Sequence, residues 1–179
     1  MPEYQRDAAV AYAHEWAFGR NPAFYNYDAI GGDCTNFASQ VLLAGGADMN
    51  YTPTFGWYYI DPNEKAPAWT GVEYLYRFLT AQDGRCGPRG AVVPLEEIEP
   101  GDIIQLSFDG EAFQHSPVVV AVGEPATPES ILVAAHTYDS DNRPLSTYPY
   151  MQFRPIHITD LISCPAARVV KGERPSPQF

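Results

Sequence analysis

Apolar positions along the first half of the chain recur at helical spacing. From about Glu3 to Phe18 the stripe runs Ala9, Tyr12, Ala13, Trp16 and Ala17, the mark of one helix face. Asn21-Pro22 ends it, because the residue before proline is pushed out of the helical region. His14 falls off that stripe and is expected in solvent. A second helix is predicted to start at Cys34, with Asp33 as N-cap, Phe37, Val41 and Leu42 on one face, and Gly45-Gly46 closing it. Residues 48–68 read as an aromatic loop. Thr70-Gly71-Val72-Glu73 has the form of a capping box and opens a third helix with Val72, Leu75, Tyr76 and Leu79 on one side.

After Gly90 the pattern changes to short apolar runs bounded by Pro and Gly. Ala91-Val92-Val93, Asp102 to Phe108, His115 to Val122, Ile131 to Thr137 and a last segment near Gln152 to Ile158 read as strands. Asp109-Gly110 is a hairpin signal. The run Val118 to Val122 predicts a central strand buried on both faces. Helices first and strands afterwards give an α+β domain with an antiparallel sheet, not an alternating α/β fold.

With 179 residues the chain makes one ordinary domain. It is expected to span residues 1–170, with the proline-rich stretch 171–179 as a disordered tail. Seventeen prolines and 14 glycines imply long ordered loops, and 12 tyrosines a partly wet aromatic surface. The net charge of −11 argues against nucleic-acid binding and against docking on anionic membranes, and no apolar run has transmembrane length. The first residues lack the basic start and apolar core of a signal peptide. That leaves two settings open: the cytoplasm, or a domain excised from a longer secreted protein. Cys34, Cys86 and Cys164 show no metal-type spacing. Cys86 and Cys164 are expected as reduced structural thiols, with a disulfide between them as the alternative.

Chemistry enters at Gly31-Gly32-Asp33-Cys34-Thr35-Asn36-Phe37. A thiol on the first turn of a helix faces unpaired N–H groups and the positive end of the dipole, and both favour the thiolate nucleophile. Charge on the adjoining Asp33 would oppose this, unless backbone N–H groups absorb it in an N-cap role. Such a nucleophile needs a base, and the base an orienter. His115 opens one predicted strand and His136 closes the next. Antiparallel neighbours bring such ends together, so both imidazoles are expected at one sheet edge, near the start of the Cys34 helix. His157 is a less favoured histidine. The acidic turn Asp139-Ser140-Asp141-Asn142 lacks the glycine and terminal glutamate of a calcium-binding EF-hand loop, and reads as an ordinary turn.

The segments GGDCTNFASQ, MNYTPTFGWYY, WTGVEYLYRFL, PGDIIQL, FQHSPVVVAV and ILVAAHTYDSDNRPLS, in this order, resemble the bacterial "Putative amidase domain" family. That family is placed among papain-like cysteine hydrolases, near the NlpC-type and CHAP-type cell-wall peptidases. The resemblance implies a papain-like α+β fold, Cys34 as nucleophile, His115 as base and His136 as the third residue that orients it, with Asp139 as the alternative third residue. It implies an oxyanion hole built on the Cys34 N–H with an upstream donor, Asn26 or Tyr27. Asn26, Tyr27, Asp33 and Trp57 thus form the candidate oxyanion and substrate set. Trp57, Tyr58, Tyr59 and Trp69 have two readings, a substrate groove or a cover over the core. The implied substrate is a peptide or other amide, with the peptidoglycan stem peptide as the specific case, and no cofactor or metal is called for. Rival readings are a binding module without turnover, an acyltransferase, and a metallohydrolase using His115, His136 and Asp139 or Cys34.

Overall fold

The computed structural model describes residues 1–165; the expected tail at 171–179 lies outside them. In chain order the elements are α1 (Arg6–Trp16), α2 (Cys34–Ala44), the short strands β1 (Tyr59–Asp61) and β2 (Glu64–Lys65), α3 (Pro67–Thr70) and α4 (Val72–Thr80), then β3 (Gly87–Val92), β4 (Ile103–Ser107), β5 (Val118–Val122), β6 (Ile131–Ala135), β7 (Ser140–Pro144) and β8 (Gln152–Ile162). β3 to β8 form a six-stranded sheet in the order β3-β8-β4-β5-β6-β7, antiparallel throughout. The domain is therefore α+β, with its helices gathered on one face of the sheet.

Alternation along the strands sorts the core into two layers, because successive side chains point to opposite faces. Ile103, Val118, Val120, Ala134, Ile156 and Ile158 pack with the helices. Ile104, Leu106, Val119, Ile131, Val133 and Leu145 form a second cluster on the other face. The predicted central strand is buried on both sides over Val118 to Val120.

α1 buries Ala9 and Ala13, followed by Ala17, as the stripe predicts, and His14 lies at the surface beside Asp141. α2 is more enclosed than a one-sided stripe implies, being buried continuously from Cys34 to Leu42. Its polar residues are bonded, as buried polar groups must be. Ser39 donates to the Trp69 carbonyl (2.9 Å) and accepts the Trp57 indole N–H (3.0 Å), and Asn36 accepts the Trp69 indole N–H (2.9 Å). Three of the four aromatic candidates are enclosed with α2, while Tyr58 is half-buried. Trp57 and Trp69 are fully buried and Tyr59 nearly so, so they cover α2 and do not line a groove.

Three further expectations need correction. Thr70 does not cap α4: Gly71 holds the N-cap position without a side-chain bond, Thr70 accepts from Lys65, and Glu73 pairs with Arg154. Asp109-Gly110 does not make a two-residue hairpin. Asp109 accepts the N–H groups of Glu111 and Ala112, so the chain wraps its side chain and 108–117 becomes a longer loop. Lastly, Cys86 and Cys164 are joined in a disulfide. They flank the β3–β8 pair, whose register places Gly87 opposite Ile162. Strand neighbours that distant in sequence are not visible from spacing.

Candidate active site

Two glycines with positive φ, Gly31 (+84°) and Gly32 (+100°), turn the chain into α2. A Cβ on Gly32 would sit 3.1 Å from the Thr137 hydroxyl, so glycine lets this turn lie against the end of β6. The Asp33 N–H donates to that same hydroxyl at 3.0 Å.

Asp33 occupies the N-cap position, but its side chain caps no helical N–H. Oδ1 accepts the Tyr27 N–H (2.8 Å) and the Asn36 amide (2.9 Å), while Oδ2 accepts Nδ1–H of His136 (2.5 Å). Burial alone would raise this carboxyl; the His136, Tyr27 and Asn36 hydrogen bonds outweigh it and hold the group below the usual carboxylate range. The capping expectation fails because both carboxylate oxygens are taken by these donors. His136 in turn places Nε2 2.7 Å from the Trp16 carbonyl, and its ring stacks on Phe37 at 4.1 Å. Both ring nitrogens are thus engaged. His136 thus ties the end of α1, the start of α2 and the end of β6. With both nitrogens engaged it is not hydrogen-bonded to His115, and the orienting role assigned from the resemblance is absent from this geometry. Asp139, the alternative, is spent on Arg20 (2.8 Å), which also binds Asp28.

His115 precedes β5, where its carbonyl accepts the Leu106 N–H in an isolated bridge. The residue is 5% exposed, and its ring makes no hydrogen bond among the described residues. Burial, and secondarily the Arg143 guanidinium, push it down to about 4. The ring is therefore neutral at pH 7 and holds a lone pair available for a proton. It lies 5.5 Å from the Tyr148 ring, on the wall of a cavity of about 470 Å³ shared with Phe108, Tyr138, Arg143, Tyr148 and Pro149.

Cys34, the one free cysteine among the described residues, is the first residue of α2. Its Sγ is 3.9 Å from the Gln114 carbonyl, beside His115, and 3.7 Å from the Thr35 hydroxyl. Burial raises the thiol; the Thr35 hydroxyl and the N–H groups of Ser116 and Thr35 oppose that rise without cancelling it. The sulfur thus touches the segment that carries His115 through the Gln114 carbonyl, and burial favours the neutral form of both the thiol and the imidazole. Beneath it Thr35 and Ser116 share a hydrogen bond (3.1 Å), and Gln105 donates to Ser116 (3.3 Å).

The upstream candidates lie elsewhere. Asn26 is exposed, with its side chain accepting the Asp28 N–H. Tyr27 spends its N–H on Asp33, and its ring packs against Tyr25 and Lys65. His157 pairs with Asp102 at the far side of the sheet. His115, His136 and Asp139 do not converge, and among the described residues no group of three or more His, Cys, Asp or Glu is arranged to hold a metal ion.

Sequence reading missed Ser116, Arg143 and Tyr148. Ser116 adjoins a candidate base, a local signal that was present. Arg143 and Tyr148 arrive through the β6–β7 pairing, which no spacing announces.

The family model described as "Putative amidase domain" matches residues 3–159. A relative from Bacillus subtilis (strain 168), "Uncharacterized protein YhbB", is 37% identical over 145 residues. That alignment takes in 79% of this chain and 44% of the relative, so the chain spans less than half of the relative's length. No solved structure matches the chain. With nearly all of its described residues inside the family match, the chain belongs to the "Putative amidase domain" family, a membership that points to amide hydrolysis.

Proposed function

We propose that this domain cleaves an amide bond through a thioester acyl-enzyme on Cys34, with His115 as the proton carrier. The observation that carries the reading is the placement of Cys34. The thiol heads α2 beside the His115 segment, with backbone N–H groups facing the sulfur, and His115 opens to a substrate-sized cavity. His115 takes the thiol proton as sulfur attacks the carbonyl carbon. The C–N bond then breaks, and the amine leaves with that proton. Water attacks the thioester, giving up its proton through His115, and the acid and the thiol are released. The N-terminal N–H groups of α2 are suited to the oxyanion. Asp33 and His136 act as positioning residues that fix where α2 begins.

A helix-borne cysteine with a histidine at the sheet is the papain-like arrangement, and cell-wall peptide is the substrate that the NlpC-type resemblance implies. The Cys86–Cys164 disulfide favours an oxidising compartment, which agrees with that substrate. One observation favours the binding-module reading: burial holds the thiol above its ordinary value.

p-Nitrophenyl acetate separates the two. An acyl-enzyme predicts a burst of nitrophenol and an acetyl adduct mapped to Cys34 by mass spectrometry. Both disappear in Cys34→Ala with the fold retained, and His115→Ala slows the burst by about 10²–10⁴-fold. An unacylated Cys34, or a rate indifferent to His115, defeats the proposal.

A further inference from the structure

Arg143 stands out among the cations of this acidic chain. Arg6, Arg20, Arg77, Arg85 and Arg154 each lie within salt-bridge distance of a carboxylate. Arg89 and Arg143 have no such partner among the described residues; Arg89 donates to the Arg85 and Ala81 carbonyls, which leaves Arg143. Its side chain is nonetheless fixed. Nε donates to the Thr147 hydroxyl (2.8 Å) and Nη2 to the Thr147 carbonyl (3.1 Å), while the guanidinium carbon sits 3.6 Å from the centre of the Tyr148 ring. Nη1 makes no bond among the described residues. The group lines the same cavity as His115.

A second unspent donor lies beside it. The Tyr148 hydroxyl is buried without a hydrogen-bond partner; Ser140 and Arg143 are near enough to influence it but are not aligned to bond it. A buried polar group left unbonded is costly and calls for an explanation. Phe108, Tyr138 and Pro149 supply apolar walls around these donors.

We propose that Arg143, assisted by the Tyr148 hydroxyl, is a carboxylate anchor, and that the substrate carries a carboxylate close to the amide presented to Cys34. This rests on the reading of Cys34 and His115 given above. An arginine held by its Nε edge and stacked on an aromatic ring has lost its rotamer freedom before the ligand arrives, so its remaining N–H groups meet a carboxylate at low entropic cost. In a chain of net charge −11, a local cation is also what lets an anionic substrate approach. The carboxylate has two possible sources, an acidic side chain or a chain terminus.

The test reads binding in Cys34→Ala, where no turnover occurs, with two matched pairs of short acetylated peptides. One pair differs by Glu against Gln, the other by a free against an amidated C-terminus. In calorimetry, the carboxylate member of one pair binds about tenfold to a hundredfold more tightly than its neutral match, the range of a charge-assisted hydrogen bond. The pair that shows the gap names the source. Adding Arg143→Gln brings the ratio near one; Arg143→Lys, which keeps charge but loses the fork, retains part of it. Melting curves accompany each variant, and Arg143→Lys carries the test if Arg143→Gln does not fold. Equal affinities within both pairs, a preference that survives in Arg143→Gln or is unchanged in Arg143→Lys, or no binding at millimolar peptide overturns the anchor. None of these touches the acetylation of Cys34, which fails or succeeds independently.

Discussion

His136 and His115 stand at the ends of successive strand segments in one sheet, yet their surroundings are opposite. His136 gives one nitrogen to a buried carboxylate and the other to a backbone carbonyl. His115 bonds nothing among the described residues and looks into a cavity beside an unpaired guanidinium. Two equally buried histidines thus divide by whether their bonding capacity is spent. An imidazole with both nitrogens engaged holds elements together and has no nitrogen left for a substrate. One whose nitrogens face a cavity is free to take a proton or a ligand. The same division separates Arg20, spent on Asp28 and Asp139, from Arg143.

The largest effect expected from this contrast is on stability at the saturated site. Asp33→Ala removes the acceptor of a buried pair and strands His136, which should cost about 3–5 kcal/mol. His115→Gln breaks no hydrogen bond and should cost far less. Urea titrations of the two variants measure the difference. Equal losses would mean that the two histidines are not distinguished by their bonds.

A cut at the far edge of the sheet sharpens the comparison by leaving both histidines alone. The Cys86–Cys164 bridge closes a sequence separation of 78 residues, and its loss should lower stability by about 2–5 kcal/mol. Cys86→Ser with Cys164→Ser should melt earlier yet acetylate Cys34 at the parent rate, when measured well below the melting temperature. A collapse of that rate would mean that the β3–β8 edge shapes the site.

How much of this was legible beforehand follows from the range of each signal. The Cys34 helix start, the Ala9–Ala13–Ala17 stripe and the split into helices and sheet rest on local periodicity, which the chain displays directly. Antiparallel strand ends suggested a common sheet edge for His115 and His136, and the approach of Cys34 to the His115 segment depends on how α2 packs on the sheet, which no strand pattern displays. Nor does any such pattern display the partner of His136. Asp33 was read as an N-cap because its local role is visible in the sequence, whereas a hydrogen bond to a residue 103 positions away is not. The disulfide, the burial of Trp57 under the polar side of α2, and Arg143 beside His115 all depend on which strands and helices become neighbours, and the periodicity of one segment carries nothing about its neighbour. The motif resemblance supplied candidate residue types, and the bond it implied between His136 and His115 is not among those that His136 makes.

The smallest expected effect isolates the bare histidine by pH. The charged group facing His115 is Arg143 on β7, and the ionisable Tyr148 packs its ring 5.5 Å away; at neutral pH Arg143 is the charged one, and it repels a proton. Burial first and Arg143 second hold the native imidazole near 4, whereas in the unfolded chain it titrates near about 6.5. Between those values the unfolded state binds a proton that the native state does not, so stability rises with pH across that window and falls on acidification. The contribution is at most about 3 kcal/mol, complete by pH 4. Asp33 works in the opposite sense of shift: its native value is lowered, so its contribution is present above about 3.8 and is lost only below that. Acidification from 6.5 to 4 therefore reads His115 before Asp33 responds. Denaturation midpoints through this range should slope in the parent protein and flatten in His115→Gln. Under the anchor proposal, a bound carboxylate facing Arg143 would cancel the repulsion and shift the same slope to higher pH. A parent slope that persists in His115→Gln would place the proton elsewhere and remove the pH signature that distinguishes His115 from His136.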